Sequence, residues 1–438
     1  MYQMLEQIKT LNFPARLPAT LLAVEQTFDR PCVDDVAGAT RAALNRLLPM
    51  MTPGSSVAVG VGSRGIANLS LIVRTTIDRM KAAGLKPFII PAMGSHAGAT
   101  AEGQEAMLAK LGVTKEMVGA EVRSSMEVVQ IGQIPDGPPL FQDKLAAGAD
   151  YTFLINRVKA HTAFRGRLES GLAKMEIIGI GKQHGASLMH NLGIPAFENY
   201  LAPAARIYET ASNVAGGLAI VENAYEEIAE IAPLTAAEIG SPLEEEMLVR
   251  AKNLMPSIPF PEIEILGVRQ FGKDISGTGM DPNIIGRLFI PRQAENFGGP
   301  DICLICVLDL TKTTGGNANG IGLANVVPYR VTQKINWQET YMNAMTAGIL
   351  GMQRSSLPIT MASDKAALEV ALRNCGQPQE TARLVFIKDT LTLDHMWVSP
   401  NLQAEVEAHP RLAVTGEVPL NFTAEGTMTS PWQMNDEL

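Results

Sequence analysis

The sequence predicts an α/β fold of two domains built on mainly parallel sheets, and three observations carry that expectation. The chain has 438 residues, more than one hydrophobic core usually organises. Short apolar runs alternate with helical periodicity through the first half, as in βαβ units. After a break with several prolines, the alternation resumes.

In chain order, SSVAVGVG (55–62) reads as a strand, and IANLSLIVRTTIDRMKAAG (66–84) as a helix stopped by glycine. LKPFIIPA (85–92) is the next strand, followed by the loop GSHAGATAEG and a helix over QEAMLAKLG (104–112). EVVQIGQI (127–134), ADYTFLINRV (149–158) and LAIVENAYEEIAEI (218–231) supply further strands. LEEEMLVRAKNLMPSIPFPE then breaks the rhythm, which puts a domain boundary within 245–262. The expected domains are 1–250 and 251–438, the second holding strands in IEILGV, DICLICVLDL, LPITMA, ARLVFIK and LAVTGEV, with a helix over NWQETYMNAMTAGILG.

Composition excludes several function classes. With 36 Lys and Arg against 45 Asp and Glu, the net charge is -9. There is no basic stripe for a phosphate backbone, so no nucleic-acid partner is expected. No apolar run reaches membrane-spanning length. The first residues lack a signal-peptide pattern, which with four cysteines and no disulfide framework points to the cytoplasm. Cys303 and Cys306 sit inside a strand pattern and read as packing residues.

Gly60-Val-Gly62-Ser-Arg-Gly65 matches the dinucleotide-binding pattern between a strand and a helix. The acid that should end the next strand is missing, because that strand runs KPFIIPAMGSH. An NAD(P)-dependent oxidoreductase using this loop is therefore one alternative, and a non-catalytic anion-binding protein another. Arg64 in the loop is a candidate clamp for a carboxylate or phosphate.

Four of the six histidines, His96, His161, His184 and His190, fall in or beside glycine-rich loops of the first domain. His96 and His161 each follow a strand and are candidates for acid/base work near neutral pH. Between 161 and 190 the chain packs three histidines, two arginines, Lys174 and Lys182 among glycines. Lys174 precedes a hydrophobic run; its amine is either desolvated and reactive, or buried against an acid such as Glu169.

Ser63-Arg64, Gly94-Ser95-His96, His161, Ser170-Gly171…Lys174 and His190, in this order, resemble the nickel-dependent lactate racemase family. The likeness runs over roughly residues 55–235. It implies an isomerase, a racemase or epimerase of a small 2-hydroxy acid. The implied cofactor is nickel in a pincer nucleotide, the pyridinium-3-thioamide-5-thiocarboxylic acid mononucleotide, attached covalently to Lys174. By the resemblance His190 is the metal ligand and His96 and His161 are the paired catalytic bases. Arg64, Gly62, Ser170 and Gly171 line the cofactor and Arg64 also meets substrate, while cofactor-synthesis enzymes act as transient partners.

The chain departs from the family in three places. The stretch from His161 to Lys174 is longer, no acid precedes Arg64 in VAVGVGSR, and the second domain carries FGKDISGTGMDPN and TKTTGGNANGIGLAN. These polar loops are expected to close an interdomain active-site cleft. There Lys273 would grip the substrate carboxylate, and the amides would favour a polyhydroxy or sugar acid over lactate. Trp397 is either a pocket wall or core.

Overall fold

A computed structural model describes residues 2–63, 65–290, 295 and 297–431. It divides the chain into two compact units, Asp29–Met255 and a second made of Met1–Phe28 with Pro256–Leu438. The division within the later part of the chain lies between Met255 and Pro256, and the first 28 residues group with the residues after it. Strand β1 (Thr20–Gln26) accounts for that grouping: its backbone is taken up by strands from the far end of the sequence.

In the 29–255 unit the strands are β2 (Ser56–Val61), β3 (Lys86–Pro91), β4 (Val128–Gln133), β5 (Pro139–Asp143), β6 (Tyr151–Arg157), β7 (Val214–Glu222) and β8 (Ile228–Thr235). The main sheet has the order β3-β2-β6-β7-β8, parallel except for the last pair. EVVQIGQI is a strand, but it pairs with β5 in a separate two-stranded ribbon. LAIVENAYEEIAEI is a hairpin, its turn at Asn223–Glu227 replacing the expected single strand.

Both faces of the sheet are covered, which is why its strands read as unbroken apolar runs. Val57, Val59, Val61, Phe153 and Ile155 face one layer with the helix Leu69–Ala82. Ala58, Leu154 and Ala219 face the other, with Leu172, Ile177, Met189 and Phe197. Each of the valine, isoleucine, leucine, methionine and phenylalanine side chains contributes about 2 kcal/mol on burial. At Gly60 an added Cβ would lie 3.0 Å from Leu154 Cδ2 and 3.3 Å from Ala92 Cβ, so any side chain there would push on its neighbours.

The other unit carries β9 (Glu262–Val268), β10 (Asp301–Val307), β11 (Val326–Pro328), β12 (Ile359–Met361), β13 (Leu384–Ile387), β14 (His395–Val398) and β15 (Leu412–Pro419). Its eight-stranded sheet runs β12-β11-β10-β9-β13-β14-β1-β15. The first five strands are parallel and the remaining pairings antiparallel. Cys303 and Cys306 lie on β10 as free thiols, Cys306 buried with its pKa pushed up to about 12 by that burial. Trp397 on β14 is half-buried against this unit's core. No helix among the described residues is long and apolar enough to cross a membrane.

Candidate active site

In a parallel sheet the loops after the strands' carboxyl ends gather at one edge, and the candidate residues of the 29–255 unit follow its strands. Ser63 follows β2, His96 follows β3 and His161 follows β6. Strand β2 lies between the other two, so two strand spacings, about 10 Å, separate the strand ends that lead to the two histidines.

His96 sits at an exposed turn in which Ala97, Gly98 and Ala99 all have positive φ (53°, 71° and 53°). Its Nδ1 pairs with the Ser63 hydroxyl in a short hydrogen bond. A hydroxyl can donate or accept, so this partner allows either neutral tautomer of the His96 ring.

His161 is held differently. The Ala163 amide donates to His161 Nδ1 at 3.1 Å. An amide N–H can only donate, so the neutral ring in this arrangement carries its proton on Nε2. Burial, then the charges of Lys174, His190, Arg165 and Lys159, hold the His161 pKa well below the usual imidazole value. His190 is lowered too, by burial and then by Lys174.

His161, Lys174 and His190 meet around two buried phenylalanines. Phe164 and Phe197 stack with ring centroids 5.0 Å apart. His161 lies 4.3 Å from Phe164 and His190 5.2 Å from Phe197, centroid to centroid. Lys174 Nζ stands 5.7 Å and 5.8 Å from the two ring centres. A cation over aromatic faces keeps an amine partly desolvated without burying it outright.

The longer stretch between His161 and Lys174 is a loop folded back on itself. Glu169, fully buried, accepts from the His161 amide at 2.8 Å, from the Gly166 amide at 3.2 Å and from Lys252 Nζ at 2.6 Å, with Arg165 at 3.4 Å. Its acid is thus engaged by Lys252 and Arg165. Ser170 Oγ accepts from the Lys159 amide at 2.7 Å and donates to the Lys159 carbonyl at 2.6 Å. The hydroxyl expected to line the cofactor therefore staples the two ends of the loop.

Lys174 ends the short helix Leu172–Lys174, and a π-helical turn, Met175–Ile180, follows. Wide turns of this kind recur at functional sites. The helix start is fixed by Glu244, 72 residues downstream in sequence, whose Oε1 accepts from the Leu172 amide at 2.5 Å and the Ala173 amide at 3.3 Å. Gly171 makes room for it: φ there is +94°, and an added Cβ would lie 2.3 Å from Glu244 Oε1. Gly62 is similarly hemmed in, with Asn156 Oδ1 and Met175 Cε each 3.3 Å from an added Cβ.

Burial pushes Glu244 up to about 7 against the lowering pull of its three backbone donors, Gly240 included. Buried Glu176 is also raised well above the carboxylate range, by burial and then by Glu244. A carboxyl whose pKa is higher folded than unfolded binds more protons in the folded state, so it supports folding at low pH and loses that support as pH rises. Thermal stability is accordingly expected to fall between about pH 4.5, the ordinary value, and about pH 7. In Glu244→Gln that slope should flatten when melting is followed across the window; an unchanged slope would refute the assignment.

Just beyond the first glycine loop, one backbone amide is already taken by an acid. The helix begins only at Leu69, and the Ala67 amide ahead of it donates to Glu222 Oε1 at 2.7 Å, Glu222 in turn pairing with Arg157. A carboxylate on the Ala67 amide takes one of the N–H groups that an anion could use ahead of this helix. Arg64 lies outside the described residues.

In the other unit, Lys273 Nζ donates to the Gly277 carbonyl at 2.7 Å, within its own loop. The two polar loops of that unit hold each other: Lys273 N donates to Thr314 Oγ1 at 3.1 Å, and Thr311 Oγ1 to Asp274 Oδ1 at 2.6 Å. Asn317 and Asn319 are buried, with Asn317 donating to Glu339 and Asn319 accepting from Ser355.

No family model matches the chain, and no curated protein matches it. Among solved structures, the lactate racemase apoprotein of Thermoanaerobacterium thermosaccharolyticum is similar in fold, at 14% identity and a TM-score of 0.44, over 84% of this chain and 88% of that one. A structural-genomics target from Thermotoga maritima is similar at 15% identity and a TM-score of 0.45, over 64% of this chain and 72% of that one. Likeness at this level concerns the path of the chain.

Sequence reasoning missed Phe164 and Phe197 as the shared platform, Glu244 as the cap below Lys174, and Glu222 on the Ala67 amide. Only Phe164 gave a local hint, three residues after His161.

Proposed function

We propose that this chain is an isomerase, a racemase or epimerase of a 2-hydroxy acid, working with a nickel pincer nucleotide tethered to Lys174. The observation that carries the reading is the meeting of Lys174, His161 and His190 on the Phe164–Phe197 platform. An amine for the tether and a neutral imidazole for the metal stand on one surface, as such a group requires. Among the described residues no three His, Cys, Asp or Glu side chains gather as a metal site. His190 would hold the nickel and Lys174 the nucleotide.

Bound there, the group supplies a hydride acceptor and donor. The chain's own residues handle protons and orientation. His96, whose Ser63 partner lets Nδ1 keep the proton, offers Nε2 as the base for a substrate hydroxyl. His161 presents its Nε2–H as donor to the oxygen from the other side, and taking up a proton there requires giving up the Ala163 bond. The two histidines are thus unequal partners in the resting protein. Phe164 and Phe197 keep water from the apolar side. Against the nicotinamide alternative stand the missing acid at the end of the next strand and the Ala67 amide beyond the loop, already taken by Glu222.

The test is co-expression with cofactor-synthesis enzymes, followed by intact mass, nickel content and chiral separation of 2-hydroxy acids, sugar acids included. The expected result is a covalent mass increase on Lys174, bound nickel and interconversion of stereoisomers. His190→Ala should keep the adduct and lose the nickel. Apo mass with no stereochemical change across the panel would end the proposal.

A further inference from the structure

Lys182 opens the helix Lys182–Leu192 that carries His190, and it is buried completely. Its backbone has φ +53°, a left-handed conformation that a non-glycine residue adopts at a cost. Glycines stand at 179, 181 and 185, so this stretch of chain has the residue suited to that conformation, yet a lysine occupies the position. What its side chain touches gives the reason.

The ammonium donates to the Pro91 carbonyl at 2.6 Å and to Gln104 Oε1 at 3.2 Å, and it lies 3.0 Å from the buried Asp143 Oδ2. Pro91 is the last residue of β3, the strand that leads to His96. Gln104, also fully buried, passes the contact on: its Nε2 donates to the Gly94 carbonyl at 2.8 Å and to the His96 carbonyl at 3.4 Å. Gly94 adds a steric lock, since a Cβ there would lie 3.0 Å from Ile178 Cγ2 in the π-helical turn.

We infer that Lys182 and Gln104 are positioning residues, a buried relay that fixes the His96 turn against the helix bearing His190. The inference rests on the proposed role of His96 only for its catalytic consequence; the placement of the turn stands on the contacts alone. Asp143 has its own place in the relay. One of its oxygens caps the helix Lys144–Ala147 through the Leu145 and Ala146 amides, and the other faces the ammonium, so the lysine is neutralised where it cannot be hydrated.

Gln104→Glu isolates the second link: the acceptor for Lys182 remains, while the donor to the Gly94 and His96 carbonyls becomes an acceptor that repels them. Lys182→Met combined with Asp143→Asn removes the first link without leaving a buried charge unpaired. Side-chain ¹⁵N histidine NMR reads the His96 ring and its Ser63 bond in the apo protein, and the cofactor-loaded protein gives kcat and KM. In both variants the His96 Nδ1 signal should move and broaden, with the signal of His409, which ends the helix Gln403–Ala408 in the other unit, unchanged. In loaded protein kcat should fall about tenfold or more, while KM and the Lys174 adduct stay within about twofold. Native melting with an unmoved His96 signal would overturn the relay, whatever the activity. A moved signal in a protein without racemase activity would uphold the relay and count against the proposed function.

Discussion

Lys174→Ala is expected to abolish stereoisomer interconversion, with a loss of at least about 10³-fold, equivalent to roughly 4 kcal/mol of transition-state stabilisation. The size follows from what the amine does in the proposed reaction. Hydride acceptance belongs to the bound group, and the protein's acid and base groups cannot replace it. Stability should change little, because a half-exposed ammonium over two phenylalanine rings is worth about 0.5–1 kcal/mol. Lys174→Arg makes the informative control, keeping the charge over Phe164 and Phe197 without a primary amine to attach. Both variants should show the apo mass. Lys174→Ala alone should let His161 and His190 titrate higher, since the lysine charge depresses both. Full activity in Lys174→Ala would show that the tether is misassigned.

Replacing His96 by alanine should lower kcat by about 10² to 10⁴, the usual span for a positioned general base, with adduct and nickel retained. The exposed turn explains why the fold should tolerate the change: His96 presents its ring to solvent and to Ser63, and the turn itself is held by backbone carbonyls bonded to Gln104. Restoring part of the activity with added imidazole would mark the loss as chemical. His161→Ala should be as damaging to kcat but less well tolerated structurally, because His161 fills space against buried Phe164. If His96→Ala turned over within about threefold of the parent protein, a base elsewhere would have to be found.

Much of this was legible because the signals are local. Strands buried on both faces announce themselves as apolar runs, and β2, β3, β6 and β9 lie where such runs predict them. Post-strand loops of a parallel sheet collect function, so His96 and His161 stood out by their place after β3 and β6. The separation of Lys174 from His190 carried the resemblance but not the reason the two side chains meet. That reason is Phe197, on a later helix, which touches His190 directly and sits under Lys174.

The sequence by itself determined the fold class, since periodicity is written along the chain, and residue type alone put the candidate site residues forward. The tertiary structure alone decided that β1 pairs with β14 and β15, with Leu22 opposite Val398. It also decided that Glu244 caps the helix of Lys174, that Glu222 takes the Ala67 amide, and that Lys182 reaches Pro91 at the end of the strand before His96. Each of these joins residues dozens to hundreds of positions apart, and each places a polar group where burial makes a partner obligatory. A sequence shows that such a group exists, and only the packed chain shows which group answers it.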